Sequence, residues 1–279
     1  MRNESHVFIV PTPIGNISDI TLRALDVLKS VDIIYAEDTR RTRKLLNYYK
    51  IKKLVKSYNK NNEKSATAHI LSIVNEDHTV ALTSDAGTPC ISDPGNILVK
   101  ELIQNNILFE ALPGPTAFIP ALVESGFSTS TFFFKGFLNT KSKSRAKELS
   151  ELKKIDSTIL LYEAPHRIKK TLTEILDIFN PPFFVGRELS KLYAEHIYIH
   201  QKDDIEKITE KGEFVIVIDN NVRKNKTDIK TSNNESMDLL ISKLFDNNFS
   251  KKDIIKILNL MGTRRNIAYR KVEEVLNSS

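Results

Sequence analysis

The stretch "TVALTSDAGTPCISDPGNILVKEL", residues 79–102, decides the fold. An apolar run of strand length enters a turn, and an amphipathic segment leaves it. The turn, Ser84 to Gly95, holds two Asp, two Gly and two Pro, in a chain with only nine glycines and ten prolines. Asp93 is expected to cap the following helix, with Pro94 at its first position, where a missing N–H costs nothing. Strand, tight turn and helix form half of a βαβ unit. The turn is acidic, and it has no run of glycines to cradle a phosphate.

The pattern repeats on either side. "HVFIVPT" (6–12) reads as a strand, and "DITLRALDVLKSV" (19–31) as a helix capped by Ser18 or Asp19. "DIIYAED" (32–38) is a second strand, and "TRRTRKLLNYY" (39–49) and "KSATAHILSIVNED" (64–77) are helices. "ILFEALPGP" (107–115) closes the series as a strand. Alternation at this spacing predicts a mostly parallel sheet covered by helices on both faces.

The second half changes character. "TFFFKGFL" (131–138) and "STILLYEAP" (157–165) read as strands, with a basic loop "NTKSKSRAK" (139–147) and a helix "ELSELKKI" (148–155) between them. "HRIKKTLTEILDIF" (166–179) is a helix, and "FFVGREL", "AEHIYIH" and "EFVIVIDN" are strands, giving a second α/β domain of mixed strand direction. Residues 220–236 are polar with almost no apolar anchor and read as a linker. The tail holds three short amphipathic helices, with Ser250 capping the second and Gly262 and Thr263 marking the break before the third. The expected division is 1–118, 119–220, a linker at 221–236, and a helical, helix-turn-helix-like domain at 237–279.

Charge is unevenly placed. The net charge is +6, yet residues 223–279 carry 12 Lys/Arg against 7 Asp/Glu, so the body is nearly neutral. Within the body, Thr39 to Asn62 contains nine Lys/Arg, no acid, and Tyr48, Tyr49 and Tyr58. Basic residues interleaved with aromatics suit a polyanion such as RNA, although a solvated helix face would look the same. Cys90 is the single cysteine, so intramolecular disulfides are excluded and no metal centre is expected. No apolar run approaches a membrane span and no signal peptide is read, which predicts a cytoplasmic protein.

The first strand ends in "VPTPIGN" (10–16), not in a Gly-rich dinucleotide loop, and no Walker-type G-x-x-x-x-G-K-[ST] occurs. Pro11 and Pro13 stiffen that turn and remove donors, so it would bind pyrophosphate badly. "AEDTR", "SDAGTP" and "LPGPTAF" end further strands, and in an open α/β sheet such loops converge on one crevice. That places Asp85, Gly87, Thr88, Pro89, Gly114, Pro115 and Thr116 near Pro11 and Pro13. A carboxylate-bearing pocket poor in phosphate-binding features fits a ligand with amino and hydroxyl groups or a sulfonium charge, such as S-adenosylmethionine.

These motifs, with "VESGF" (123–127), "LLYEAPHRI" (160–168), "GRELSKLYAE" (186–195) and "KGEFVIVI" (211–218), resemble in order those of the 16S rRNA (cytidine-1402-2′-O)-methyltransferase family of the tetrapyrrole methylase superfamily. The resemblance covers about residues 6–219, and the helical tail is similar to an extension found in many members. Departures are Arg41 where many members have His, Ser190 for a usual Thr, and Cys90 at an aliphatic position.

The resemblance implies two tetrapyrrole-methylase-like α/β domains with S-adenosylmethionine in the cleft between them, plus a small C-terminal helical domain, usually as a homodimer. It implies 2′-O-methylation of a cytidine ribose in 16S rRNA of the small ribosomal subunit. By matching motifs, cofactor contacts are expected from Pro11, Thr12, Pro13, Asp85, Ala86, Gly87, Thr88, Pro115, Thr116 and Ala117. Tyr162, Arg187, Glu188 and "GEF" (212–214) are expected to join them from the second domain. RNA contacts are expected from Arg40, Arg41, Arg43 and Lys44, from Lys141, Lys143 and Arg145 in the basic loop, and from Arg264 and Arg265 in the tail.

Methyl transfer to a hydroxyl needs alignment of three atoms and a proton acceptor. Glu37 and Asp38 are adjacent carboxylates at a strand end, and either could be that base, although Asp38 or Thr39 could equally just cap the next helix. Glu188, Lys191 and Glu163 are alternatives, while His166 reads as a capping or packing residue. Two other readings compete: a methylase of this fold acting on a tetrapyrrole or other small substrate, and a non-enzymatic nucleic-acid-binding protein.

Overall fold

In the computed structural model, which describes residues 6–221, 237–247, 249–260, 263 and 265–277, the chain forms two units, Met1–Asn220 and Asn221–Ser279. The expected linker therefore lies outside the described residues apart from Asn221.

The first unit contains two five-stranded sheets. Strands β1 (Val7–Val10), β2 (Ile33–Ala36), β3 (Leu54–Ser57), β4 (Val80–Thr83) and β5 (Phe109–Ala111) are all parallel, in the order β3-β2-β4-β1-β5. Their side chains alternate between two cores. Val7, Ile9, Tyr35, Val80 and Leu82 pack on one face, and Val10, Ile34, Ala36 and Ala81 on the other. Helices α1 (Leu22–Ser30) and α2 (Thr39–Tyr48) cover the second face, α3 (Glu63–Val74) and α4 (Asn96–Gln104) the first. Burial on both sides is why these strands read as continuous apolar runs.

The second sheet joins β6 (Phe132–Phe137), β7 (Thr158–Glu163), β8 (Phe183–Arg187), β9 (Glu195–Ile199) and β10 (Phe214–Asp219) in the order β6-β7-β10-β8-β9. Only β6 and β7 are parallel; the other pairs are antiparallel. Helices α6 (Ser142–Leu152), α7 (Ile168–Leu176) and α8 (Lys202–Glu206) bury Leu149, Leu172 and Ile205 on one face. The short helix α5 (Phe118–Glu124) follows the first sheet in the chain but sets Ala121 and Leu122 on the other face of the second. Each fully buried aliphatic contributes about 1.5–3 kcal/mol relative to exposure.

The second unit contains α9 (237–246), α10 (Lys251–Leu260) and α11 (Arg265–Asn277), packed around Ile241, Ile254, Leu258, Ala268 and Val272. Ser250 Oγ accepts the Asp253 amide at 3.2 Å, capping α10. No helix among the described residues is long and apolar enough to cross a membrane.

Three local expectations are corrected and one strand is added. Helix α1 is capped by Thr21, whose hydroxyl accepts the Ala24 amide, not by Ser18 or Asp19, which belong to a preceding 3-10 turn. Helix α4 starts at Asn96 behind Gly95, so Asp93 and Pro94 stay in the turn. Strand β3 lies inside the basic block, where only four residues pair with β2. Most of "NTKSKSRAK" is not a loop but the start of α6.

Candidate functional site

The carboxyl end of β1 runs straight into Pro11. The next residue, Thr12, forms an isolated antiparallel bridge with Gly87, amide to carbonyl at 2.9 and 3.0 Å. Its hydroxyl donates to the Ser84 carbonyl at 3.1 Å. The turns after β1 and β4 thus satisfy each other, and Pro11 and Pro13 offer no N–H. A Cβ on Gly114 would fall 2.5 Å from Pro11, so the turn after β5 must also approach with a glycine. These contacts use the Thr12 and Gly87 amides and pin the three turns together.

The turn after β4 doubles back on itself. Gly87, Cys90, Ser92 and Gly95 all have positive φ, from +67° to +137°. That reversal brings Asp93 to the same wall as Asp85. Asp85 accepts the Asp38 amide at 2.8 Å and faces Arg41 at 3.7 Å, tying the β2 and β4 ends together. Thr88 donates to the Pro115 carbonyl at 2.9 Å and lies 3.0 Å from the Thr116 hydroxyl.

Between the two sheets these turns close a cavity of about 350 Å³. Its first wall is Ile14, Asp85–Thr88, Asp93, Thr116 and Ala117; its second is Tyr162, Leu189 and Gly212–Val215. Three carboxylates, Asp85, Asp93 and Glu213, line it against one guanidinium, Arg41, while the lining residue Glu163 has its carboxylate buried against Arg167. Such a lining suits a cationic or neutral polyhydroxylated ligand and disfavours a phosphate.

The carboxylates are not alike. Burial, reinforced by Glu37 and Asp85, pushes the Asp93 carboxyl up to about 7. Glu37 is also raised, by burial and then by Asp85. Asp38 is held well below the usual carboxylate range by hydrogen bonds from the Arg40 side chain and amide, and it caps α2. Burial works against the Glu188 charge, but Lys191 at 2.8 Å and the Glu213 amide at 2.8 Å hold its pKa below normal. Burial likewise opposes the Lys191 charge, and Glu188 and Glu213 outweigh it, raising the ammonium above its ordinary value. Glu163 is saturated by Arg167, Thr171 and the Ala164 amide. Burial pushes the Tyr162 phenol up to about 12, so it remains protonated.

Among the expected cofactor residues, Asp85, Ala86, Gly87, Thr88, Thr116, Ala117 and Tyr162 line the cavity. Pro13 and Thr12 face an adjoining groove instead, together with Lys191. Pro11 and Pro115 lie in the supporting turns, not in the cavity lining. Arg187 donates to the Lys211 carbonyl at 2.7 Å and Glu195 at 2.6 Å and does not line the cavity. Neither Glu37, Asp38 nor Glu188 lines it. Asp93, read as a cap, does. Its neighbour eight residues back, the acid of the same turn, was the only signal.

The expected RNA residues separate as well. Arg40, 84% exposed, pairs with Asp38, and Arg43 turns to the Val55 carbonyl. Lys141 and Lys143 are exposed. Arg145 is corrected: only 2% of its side chain is exposed. It binds both Glu174 oxygens, at 2.6 and 2.7 Å, and the Asn139 and Thr140 carbonyls, which commits four of its five N–H donors and keeps the guanidinium from the surface. Arg264 and the Arg265 side chain lie outside the described residues.

The family model for tetrapyrrole (corrin/porphyrin) methylases matches residues 6–206. A crystal structure of uroporphyrin-III C-methyl transferase from Thermus thermophilus, complexed with S-adenyl homocysteine, aligns with a TM-score of 0.54 over 77% of this chain and 98% of that one. At 16% identity the likeness is one of fold. The ribosomal RNA small subunit methyltransferase I of Bacillus subtilis is 42% identical over 83% of this chain and 77% of its own length. That of Thermotoga maritima is 44% identical over 76% of this chain and 97% of its own. The chain belongs to the ribosomal RNA small subunit methyltransferase I family, within the tetrapyrrole methylases. A non-enzymatic nucleic-acid binder is thereby ruled out.

Proposed function

We propose that this chain transfers a methyl group from S-adenosylmethionine to 16S rRNA of the small ribosomal subunit, at the ribose 2′-hydroxyl of cytidine 1402. It works as a homodimer in the cytoplasm. The observation that carries this reading is the cavity's charge: the carboxylates of Asp85, Asp93 and Glu213 stand against one guanidinium, Arg41. S-adenosylmethionine supplies an electrophilic methyl carbon on a cationic sulfonium. Asp85 and the Gly87–Thr88 turn would hold its polar groups, and Ile14, Leu189 and Val215 its apolar surface.

What the protein adds is alignment, exclusion of water and a place for the hydroxyl proton. Held geometry can contribute on the order of 7–11 kcal/mol. Asp93 is the proton acceptor best suited to neutral pH, since it faces the cavity and its carboxyl sits near 7. Asp38, Glu188 and Lys191 are already committed to partners and serve as positioning groups: Asp38 caps α2, and Lys191 lies across Gly15, whose missing Cβ gives its stem room.

The test is incubation with labelled S-adenosylmethionine and small subunits lacking the methyl group, naked rRNA, or a tetrapyrrole precursor. Label on a cytidine ribose oxygen of the subunits is the expected result. Label confined to the tetrapyrrole, or on another atom of the rRNA, overturns it.

A further inference from the structure

A second groove adjoins the cavity. It encloses about 380 Å³ and shares Ile14, Arg41, Asp85, Ala86 and Glu213 with it. One side is helix α2, which presents Arg41, Lys44, Leu45 and Tyr48. Positions 41, 44, 45 and 48 recur at three- and four-residue spacing, so they form a single face of the helix. The two other arginines of the basic run leave that face: Arg40 is bound by Asp38, and Arg43 donates to Val55.

The face has the composition of a single-strand reader. Tyr48 is 64% exposed, and its ring meets Tyr49 edge-on at 5.0 Å and 78°. Tyr49 is itself anchored, donating its hydroxyl to the Ile17 carbonyl at 2.7 Å. The platform is therefore braced, with its exposed surface free. Lys44 is exposed and takes part in none of the ion pairs formed by described residues. Among the described residues Arg41 forms one ion pair, with Asp85 at 3.7 Å, beyond hydrogen-bonding distance, so its donors are available. Of the groove's two acids, Glu213 is paired with Lys191 at 3.1 Å and Asp85 lies 3.7 Å from Arg41. From 41 to 48 the helix rises about 10 Å.

We infer that the Arg41–Lys44–Tyr48 face of α2 binds the single-stranded RNA segment flanking the acceptor nucleotide: a base stacks on Tyr48 while Arg41 and Lys44 neutralise its phosphates. This rests on the RNA methylation proposed above and names the subsite that delivers the strand to the cavity. Stacking on a side chain requires an unstacked base, so the groove selects single-stranded over duplex RNA.

Fluorescence anisotropy with a labelled oligouridylate, and with an RNA duplex of equal length, tests this. Tyr48→Ala and Tyr48→Leu should weaken the single strand about 5- to 100-fold, the range for one lost base stack, and Tyr48→Phe should not. Duplex binding should stay within about twofold of wild type. Lys44→Ala should lower the slope of log affinity against log salt by about 0.7, and Arg43→Ala should keep the wild-type slope. Unchanged S-adenosylmethionine affinity by calorimetry certifies the fold of each variant. Equal loss on strand and duplex, or wild-type affinity in both Tyr48→Ala and Lys44→Ala, overturns the inference. If the wild type methylates small subunits and Tyr48→Ala does so with unchanged KM, the groove assignment alone fails. If the wild type methylates no RNA, the functional reading fails with it.

Discussion

Glu37, Asp85 and Asp93 at the strand ends of the first sheet contrast with Glu163, Glu174 and Glu188 in the second half. All are carboxylates with restricted exposure, yet the second group is matched almost one for one with cations. Glu163 holds Arg167, Glu174 holds Arg145 and Glu188 holds Lys191, and Glu174 and Glu188 sit below their ordinary pKa as a result. In the first group only Asp85 forms an ion pair, with Arg41 at 3.7 Å. Glu37 is pushed upward by burial and Asp85, and Asp93 by burial, Glu37 and Asp85, more than Lys60 offsets. Matched pairs hold a fold together. A crowded, under-neutralised set is costly for folding and is what a site for a cation and a proton requires.

The largest expected effect bears on Asp93. Asp93→Asn should reduce kcat by about 10²–10⁴-fold, the usual contribution of a general base. In the wild type, log kcat/KM should rise with pH and level off above about 7, where the free carboxyl is ionised. In the variant that bend should vanish. A full-activity variant would place Asp93 with the structural acids.

From the other side of the comparison, Arg145→Ala should cost about 3–5 kcal/mol of stability, because it leaves Glu174 without its buried partner. Urea unfolding measures it. The same variant, assayed where it is folded, should keep the wild-type salt slope for RNA; a shallower slope would make Arg145 a phosphate ligand after all. Asp85→Ala comes next, weakening S-adenosylmethionine on the order of 100-fold by calorimetry, as expected for a lost charge-assisted contact. Unchanged affinity would remove Asp85 from the binding wall.

The same contrast explains what could be read in the sequence. Strands β1, β2 and β4 are buried on both faces, so their apolar runs stand out, and the Pro/Gly turns behind them mark the crevice. Strand β3 escapes because Leu54 is largely exposed and Lys56 interrupts the run. Arg145 looks like any residue of a basic loop, since Glu174, its partner, lies 29 residues further on. Asp93 looks like a helix cap because "SDPG" supplies every capping signal. Only the left-handed residues Cys90, Ser92 and Gly95 turn it into the cavity instead, and two of these are not glycine. Long-range charge pairing and backbone reversal at ordinary residues leave no local trace in a sequence. Helical faces do: the spacing of Arg41, Lys44 and Tyr48 was present in the basic block, although composition alone could not say that Arg40 and Arg43 look elsewhere.

The smallest effect is the most discriminating, because it separates the two groups by sign. The Asp93 carboxyl titrates near 3.8 in an unfolded chain and at about 7 in the folded protein. Between those values the native state holds a proton that the unfolded state has released. The contribution of Asp93 to stability therefore falls as pH rises from about 4 to about 7 and is constant above. Asn carries no charge and escapes that loss. Relative to wild type, Asp93→Asn should thus be near neutral at about pH 4 and more stable by about 1–2 kcal/mol at about pH 8, after allowing for solvent screening of a partly exposed group. Removing the charge of Glu174 should do the opposite, since its pKa is lowered by Arg145: Glu174→Gln should be most destabilising at neutral pH and least so in acid. Chemical denaturation of both variants at the two pH values measures this. If Asp93→Asn instead loses stability as pH rises, Asp93 is a matched structural acid like Glu174, and the first sheet's carboxylates do not form the under-neutralised set that distinguishes the two halves.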